Sequence, residues 1–297
     1  MTKQKAVFLF GAGATFPWGS PSTKELTDLI LDSGFYTRGK EKKRITKFIY
    51  ETLLDCGYTS DQVNFETIIN IIEELITYYG SFNYLDSGRT EKLPSLISCF
   101  TIPHFEAELL NFSTSDKGKA EHGYKLEIPE GDPYEDTHYS LQSETPAQFF
   151  YQHLLIILLS AISDRISKYA WHTSGHSSIK TDDECSVLFT EWMQSLYSKN
   201  VLRLYTLNYE KIFKVLLSRI GIEVFDGFNC SEYIDLNERL RANVPRILSD
   251  DISNIHYNLH GSIDWRVLDL DRRQLPNAEL ILTAYPHLPM NDTPATF

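Results

Sequence analysis

The chain has 297 residues, with 40 acidic side chains against 28 Lys and Arg and a formal charge of −12. Such a length can bury a sizeable core, while the acidic balance excludes binding nucleic acid over a broad surface, which rests on neutralising phosphates with Lys and Arg. Cys56, Cys99, Cys185 and Cys230 stand singly without C-x-x-C spacing, so they read as small buried or half-buried thiols rather than a zinc module or redox pair.

Near the N-terminus, Ala6-Val7-Phe8-Leu9-Phe10 is an unbroken apolar run that ends in Gly11-Ala12-Gly13-Ala14-Thr15. The run predicts the first strand of a parallel sheet, buried on both faces. Gly11 and Gly13 lack the Cβ atoms that would keep a phosphate away from backbone N–H groups. Phe16 stands where the dinucleotide fingerprint has its third glycine. Ser22 and Glu25 have capping-box spacing ahead of Leu26, Leu29 and Ile30, which predicts a helix from about Thr23. Residues 16–21, with Pro17, Gly19 and Pro21, then form an irregular segment. The lead MTKQKAVFLF has too short an apolar stretch for a signal peptide, and the apolar run over 154–162 is well below bilayer length. A soluble, cytoplasmic chain is expected.

A basic patch at 38–44 leads into Ile45, Phe48, Ile49 and Leu53 at helical spacing, and Phe65, Ile68, Ile69, Ile72 and Ile76 mark a second amphipathic helix. Residues 93–110 read as helical with a break at Pro103. From 111 to 146 the composition turns polar, with eight acidic side chains and three Lys, and predicts a surface excursion that includes His122 and His138, with His104 just before it. A long buried helix follows over 149–169, then another over 183–196. His172 and His176 between them are four apart, but their Gly and Ser surroundings read as loop rather than as a helical metal site.

Val201-Leu202-Arg203-Leu204-Tyr205-Thr206 predicts another core strand, ending in Leu207-Asn208-Tyr209-Glu210. Open α/β sheets bind ligands at such strand ends, and Thr206, Asn208 and Glu210 alternate so as to share one side of an extended chain. The same residues equally suit a turn that caps the next helix. A short strand over 221–225 and a stretch from Ile255 to Ser262 complete the pattern, with His256, Asn258 and His260 alternating with Tyr257 and Leu259. Together these elements predict an α/β fold, a Rossmann-like parallel sheet flanked by helices, as one domain over 1–297 with a helical subdomain or insertion over about 36–200.

The glycine turn, T-x-N-Y-E and L-H-G-S, in that order, resemble the sirtuin-like NAD-hydrolysing domains of bacterial anti-phage defence, and the likeness spans about residues 6 to 285. The resemblance implies that Gly11, Ala12, Gly13, Ala14 and Thr15 hold the NAD phosphates, helped by Pro21 of the Gly19-Ser20-Pro21-Ser22 segment. It places Thr206 and Glu210 at the ribose and nicotinamide, Gly261 and Ser262 beside them, and Asn208 and His260 as the catalytic pair. NAD+ is then a substrate, with neither a cofactor nor a metal required.

The departures carry information. The four-cysteine zinc module and G-I-P-D-F-R loop of protein-deacylating sirtuins are absent, which disfavours peptide deacylation. Glu210 stands where the family has Asp. The relatives' V-G-Y-S-F strand, which closes the adenine pocket, has no counterpart before Phe297, so that pocket is expected to be completed by something outside this sequence. The family also implies regulation of a toxic activity, through a homo-oligomer or a partner such as a HerA-type ATPase or a short Argonaute, with 111–146 as a candidate contact. The alternatives are a module that binds NAD or ADP-ribose as a signal, and an ADP-ribosyl or acyl transferase.

Overall fold

Three strands that run the same way carry the residues singled out above. The computed structural model describes residues 3–37, 42–79, 114–115, 125–126, 146–172, 176–233, 240–249, 254–268, 279–282 and 293–294. In chain order the elements begin with β1 (Gln4–Phe10), a 3-10 helix (Ala12–Trp18), α1 (Thr23–Leu31), α2 (Ile45–Asp55) and α3 (Phe65–Tyr78). Then come β2 (Thr114–Ser115), β3 (Lys125–Leu126), α4 (Pro146–Ala170), α5 (Glu184–Tyr197), β4 (Asn200–Thr206) and α6 (Ile212–Arg219). The remainder is β5 (Phe228–Tyr233), β6 (Leu240–Ala242), α7 (Val244–Ile247), β7 (Ile255–Asn258), β8 (Trp265–Leu268), β9 (Glu279–Leu282) and β10 (Thr293–Pro294). The chain divides into two compact units, Met1–Ser22 with Ser163–Phe297, and Thr23–Ile162.

The first unit is mixed α/β. Its parallel sheet has the order β1-β4-β7, and a five-stranded antiparallel sheet has the order β10-β8-β9-β6-β5. In the parallel sheet Phe10 pairs with Thr206, and Thr206 with Asn258, so all three strands end at one level. Aromatic packing covers one face: Phe10 lies 4.4 Å from Phe213 of α6 and 6.3 Å from Phe189 of α5, and Phe8 lies 5.2 Å from Trp192 of α5. Asp183 caps α5 by accepting the Ser186 N–H at 2.8 Å.

β1 departs from the expected strand buried on both faces: Val7 is 64% and Leu9 63% exposed. The strand order explains this. Successive steps from β1 to β4 to β7 move in one direction, and right-handed crossovers then put α5 and α6 on the same face. The opposite face holds Tyr205 and Tyr257 packed on Phe225 and Ile255, and no helix among the described residues covers Val7 and Leu9. The strand expected over 221–225 reduces to a single bridge between Phe225 and Ile255.

The second unit is helical where it is longest described. Ile45, Ile49 and Leu53 of α2 and Ile68, Ile69, Ile72 and Leu75 of α3 are buried, matching the predicted apolar stripes. Asn64 caps α3 through the Thr67 N–H at 3.0 Å, and Phe35 packs 5.3 Å from Phe150. Residues 38–41, 80–113 and most of 111–146 lie outside the described residues, and with them the helix expected at 93–110, the surface excursion, His104, His122, His138 and Cys99.

Two further expectations change. Cys56 follows the end of α2 and Cys185 sits in the first turn of α5, and both thiols are exposed rather than buried. Helix Ala147–Ala170 exceeds the 154–162 run because Phe, Tyr and Ala extend it, and by length and composition it is enough to cross a membrane. Of its most apolar window, 67% is buried inside the structure, as in the core helix of a globular fold.

Candidate functional site

The chain leaves β1 at Gly11 in extended conformation (φ −89°, ψ 179°) and winds at once into the 3-10 helix. That helix takes up residues 16–18 of the irregular segment expected over 16–21, and 19–21 remain irregular. The Ala14 N–H donates to Gly11 O at 2.9 Å and the Gly19 N–H to Phe16 O at 2.9 Å, the i to i+3 pattern of that helix. Gly19 ends it in the left-handed region (φ +92°), which a residue with a Cβ enters only with strain. Gly11, Ala12 and Gly13 are exposed, Ala14 is half-buried, and Thr15 and Pro21 are buried.

Neither Gly11 nor Gly13 has a positive φ. A Cβ on Gly11 would meet nothing within 4 Å, and one on Gly13 would only touch the Phe16 ring at 3.6 Å. The chain's own packing and backbone conformation therefore do not demand glycine at either place. What a side chain there would fill is open space beside the sheet edge.

At the end of β4 the strand stops at Thr206 and residues 207–210 bend. The Asn208 N–H donates to Thr206 Oγ1 at 3.0 Å, so Thr206 makes the turn that sequence left open. Asn208, 6% exposed, donates from Nδ2 to Thr15 Oγ1 at 3.0 Å and to Glu210 Oε1 at 3.1 Å. Both amide hydrogens are thereby used and Oδ1 is left as the acceptor. The other Glu210 oxygen accepts from the Tyr169 hydroxyl at 3.5 Å. Burial pushes the Glu210 carboxyl above the usual carboxylate range, against its own backbone N–H and the donors Asn208, Thr15 and Tyr169, which pull it down. Burial and the Glu210 charge also push the Tyr169 phenol up.

The end of β7 is stitched to this bend. The Leu259 N–H donates to Thr206 O at 2.8 Å, and Asn258 Nδ2 donates to the carbonyls of Asn208 and Glu210 at 2.8 and 3.1 Å. His260 follows, exposed, ahead of Gly261 (φ +96°). Ser262 is buried and donates its hydroxyl to Tyr209 O at 3.0 Å, and Lys211 pairs with the buried Asp264 at 2.9 Å.

Neither a known protein family nor a curated protein matches this chain.

The structure brings Thr15, Thr206, Asn208 and Glu210 into one hydrogen-bonded cluster and sets His260, Gly261 and Ser262 on the loop stitched against it. Gly11 to Ala14 lie at the end of the neighbouring strand, at the same level of the sheet. His172 forms an antiparallel bridge with Ser177, and neither His172 nor His176 is helical. Among the described residues, no group of three or more His, Cys, Asp or Glu side chains is placed to hold a metal ion. Sequence reading missed Tyr169 and the Lys211–Asp264 pair, and gave Asn258 no role of its own. Tyr169 belongs to the apolar pattern of a long helix and carries no local mark of a polar partner 41 residues away. Asn258 did stand out by alternating with His256 and His260.

Proposed function

We propose that the chain is an NAD+ glycohydrolase, cleaving NAD+ to nicotinamide and ADP-ribose at the carboxyl edge of a Rossmann-like sheet. The observation that carries this reading is the common level of the three strand ends, which sends the glycine turn, the Asn208 bend and the His260 loop off one edge. Open α/β sheets bind ligands at that edge. Glycines that the fold itself does not require suit close approach by a pyrophosphate.

In the proposed reaction water attacks the ribose C1′, the bond to the nicotinamide nitrogen breaks, and its electron pair leaves with neutral nicotinamide. His260 accepts the proton from the attacking water. Asn208 orients the ribose or the water through its free Oδ1, and Glu210 holds Asn208 in place. Protein deacylation has no support from the residues present. The reading further assigns the chain to the cytoplasm, as a toxic effector of anti-phage defence controlled by a homo-oligomer or a separate partner subunit.

The test is nicotinamide release from NAD+ by the purified protein, alone and in lysate of phage-infected cells, with wild type, Asn208→Ala and His260→Ala compared. Release lost in both folded variants supports the hydrolase. Binding of NAD or ADP-ribose without release in either condition overturns it in favour of a sensor.

A further inference from the structure

The buried hydroxyl of Tyr169 lies in the same unit as the Asn208 cluster and has no place in the proposed chemistry. Tyr169 is 8% exposed and comes from the last turn of α4. Its oxygen is 3.5 Å from Glu210 Oε2, and the nearby Ser20 hydroxyl, which donates to Pro21 O at 3.3 Å, pulls the phenol down against its burial. One turn back, the Arg165 guanidinium lies 5.9 Å from the Tyr169 ring and donates to Gly19 O at 3.4 and 3.5 Å. The Cβ of Tyr169 is also what a side chain on Gly19 would touch, at 3.7 Å. The end of α4 is thus fastened to the segment after the glycine turn at the point where its tyrosine reaches Glu210.

We infer that Tyr169 is a positioning residue, holding Glu210 so that its other oxygen faces Asn208 and Thr15. The longer reach of Glu over Asp has a use here. One carboxyl spans from the Asn208 amide on one side to the Tyr169 hydroxyl on the other, and an Asp placed to meet Asn208 would fall short of the tyrosine. Among the described residues the titratable group bonded to Glu210 is Tyr169 of α4, with Arg165 of the same helix beside that tyrosine; Lys211, next in the chain, is paired with Asp264. The β4 end and the 3-10 helix contribute the neutral Asn208 and Thr15. Removing the hydroxyl takes away a donor to the carboxylate and leaves the ring packing intact.

The catalytic part rests on the proposed hydrolase, and the positioning part is measurable without it. The experiment follows the side-chain carboxyl of Glu210 by carbon NMR in protein labelled at glutamate, with Glu210→Gln identifying the resonance. Wild type is titrated beside Tyr169→Phe, and beside Ser20→Ala as a second variant that leaves Tyr169 in place. In Tyr169→Phe the Glu210 titration is expected to move up by about one pH unit, the size of one lost donor. Ser20→Ala should move it in the same direction by less. An unmoved titration in Tyr169→Phe overturns the inference, whatever the protein does to NAD+. Where nicotinamide release is observed, Tyr169→Phe should lower kcat about tenfold with KM nearly unchanged, and move the acid limb of the pH profile with the NMR midpoint. A change confined to KM would overturn the assigned role while leaving the hydrolase reading intact.

Discussion

Asn208 and Thr15 are 193 positions apart in the chain and meet at 3.0 Å, amide to hydroxyl, with Thr15 fully buried and Asn208 6% exposed. The bond ties the helix that follows β1 to the bend that follows β4. Thr15→Val keeps the shape and removes the acceptor, leaving one Asn208 N–H buried and unpaired. The expected cost is about 1–3 kcal/mol in denaturant unfolding, with Thr15→Ser close to wild type. A loss in Ser with Val close to wild type would mean that the methyl group, not the hydroxyl, matters there.

Glu210→Gln separates the charge of Glu210 from its shape. A folded-state pKa raised by burial means stability that is full below the unfolded value and is lost as pH rises through the folded one. The Gln variant has no such loss. The stability of Glu210→Gln relative to wild type should therefore be more favourable at pH 8 than at pH 4, while nicotinamide release falls. A difference that stays constant across this range would show that the carboxyl does not titrate differently on folding.

Two histidines act in the opposite sense. His256 is buried with neither ring nitrogen partnered among the described residues, and His153 is buried with its Nδ1 3.3 Å from Phe149 O. Burial lowers each to about 4. The folded protein resists protonating them, so stability is lost as pH falls from about 6.5 towards 4, on the order of 2–3 kcal/mol for each. His256→Leu should flatten that acid limb by about half, read from unfolding midpoints at pH 4.5 and 7.

Periodic apolar residues made the helices legible: α2, α3, α4 and α5 fall where Ile45, Phe65, the 149–169 run and Asp183 place them. Strand β4 and its polar end were equally plain. The exposure of Val7 and Leu9 was not, because an apolar run marks a strand but not the faces its crossovers will cover. Likewise Pro17 and Gly19 read as loop, although Pro tolerates 3-10 geometry and Gly19 ends it. Thr206, Asn208 and Glu210 were visible as a group, yet what holds Glu210 comes from a helix whose sequence pattern says only that it is apolar.

His260 and Asn208 should separate cleanly in a stability assay. His260 is exposed and has no hydrogen-bond partner among the described residues for its removal to strand, so His260→Ala is expected within about 0.5 kcal/mol of wild type while nicotinamide release is lost. Asn208→Ala instead empties a buried position and leaves Thr15 and Glu210 without their shared donor. It should cost about 2 kcal/mol or more. Comparable destabilisation by both would place the imidazole in a structural role.

The pair Lys211–Asp264 joins the residue after Glu210 to the loop after His260, and its two members are unequally placed. Asp264 has 4% of its side chain exposed and Lys211 has 20%, at a separation of 2.9 Å. Removing the aspartate frees a lysine whose long stem lets the ammonium turn to water. Removing the lysine strands a carboxylate that cannot follow. Lys211→Met is therefore expected to cost about 3–5 kcal/mol and Asp264→Leu about 1–2 kcal/mol, with the double variant recovering most of the first loss. The order of the two single losses is the decisive reading in a denaturant double-mutant cycle, since a solvent-screened surface pair would give small and nearly equal values. Because the pair anchors the turn that presents His260, Asp264→Leu should also reduce nicotinamide release by more than its loss of stability accounts for.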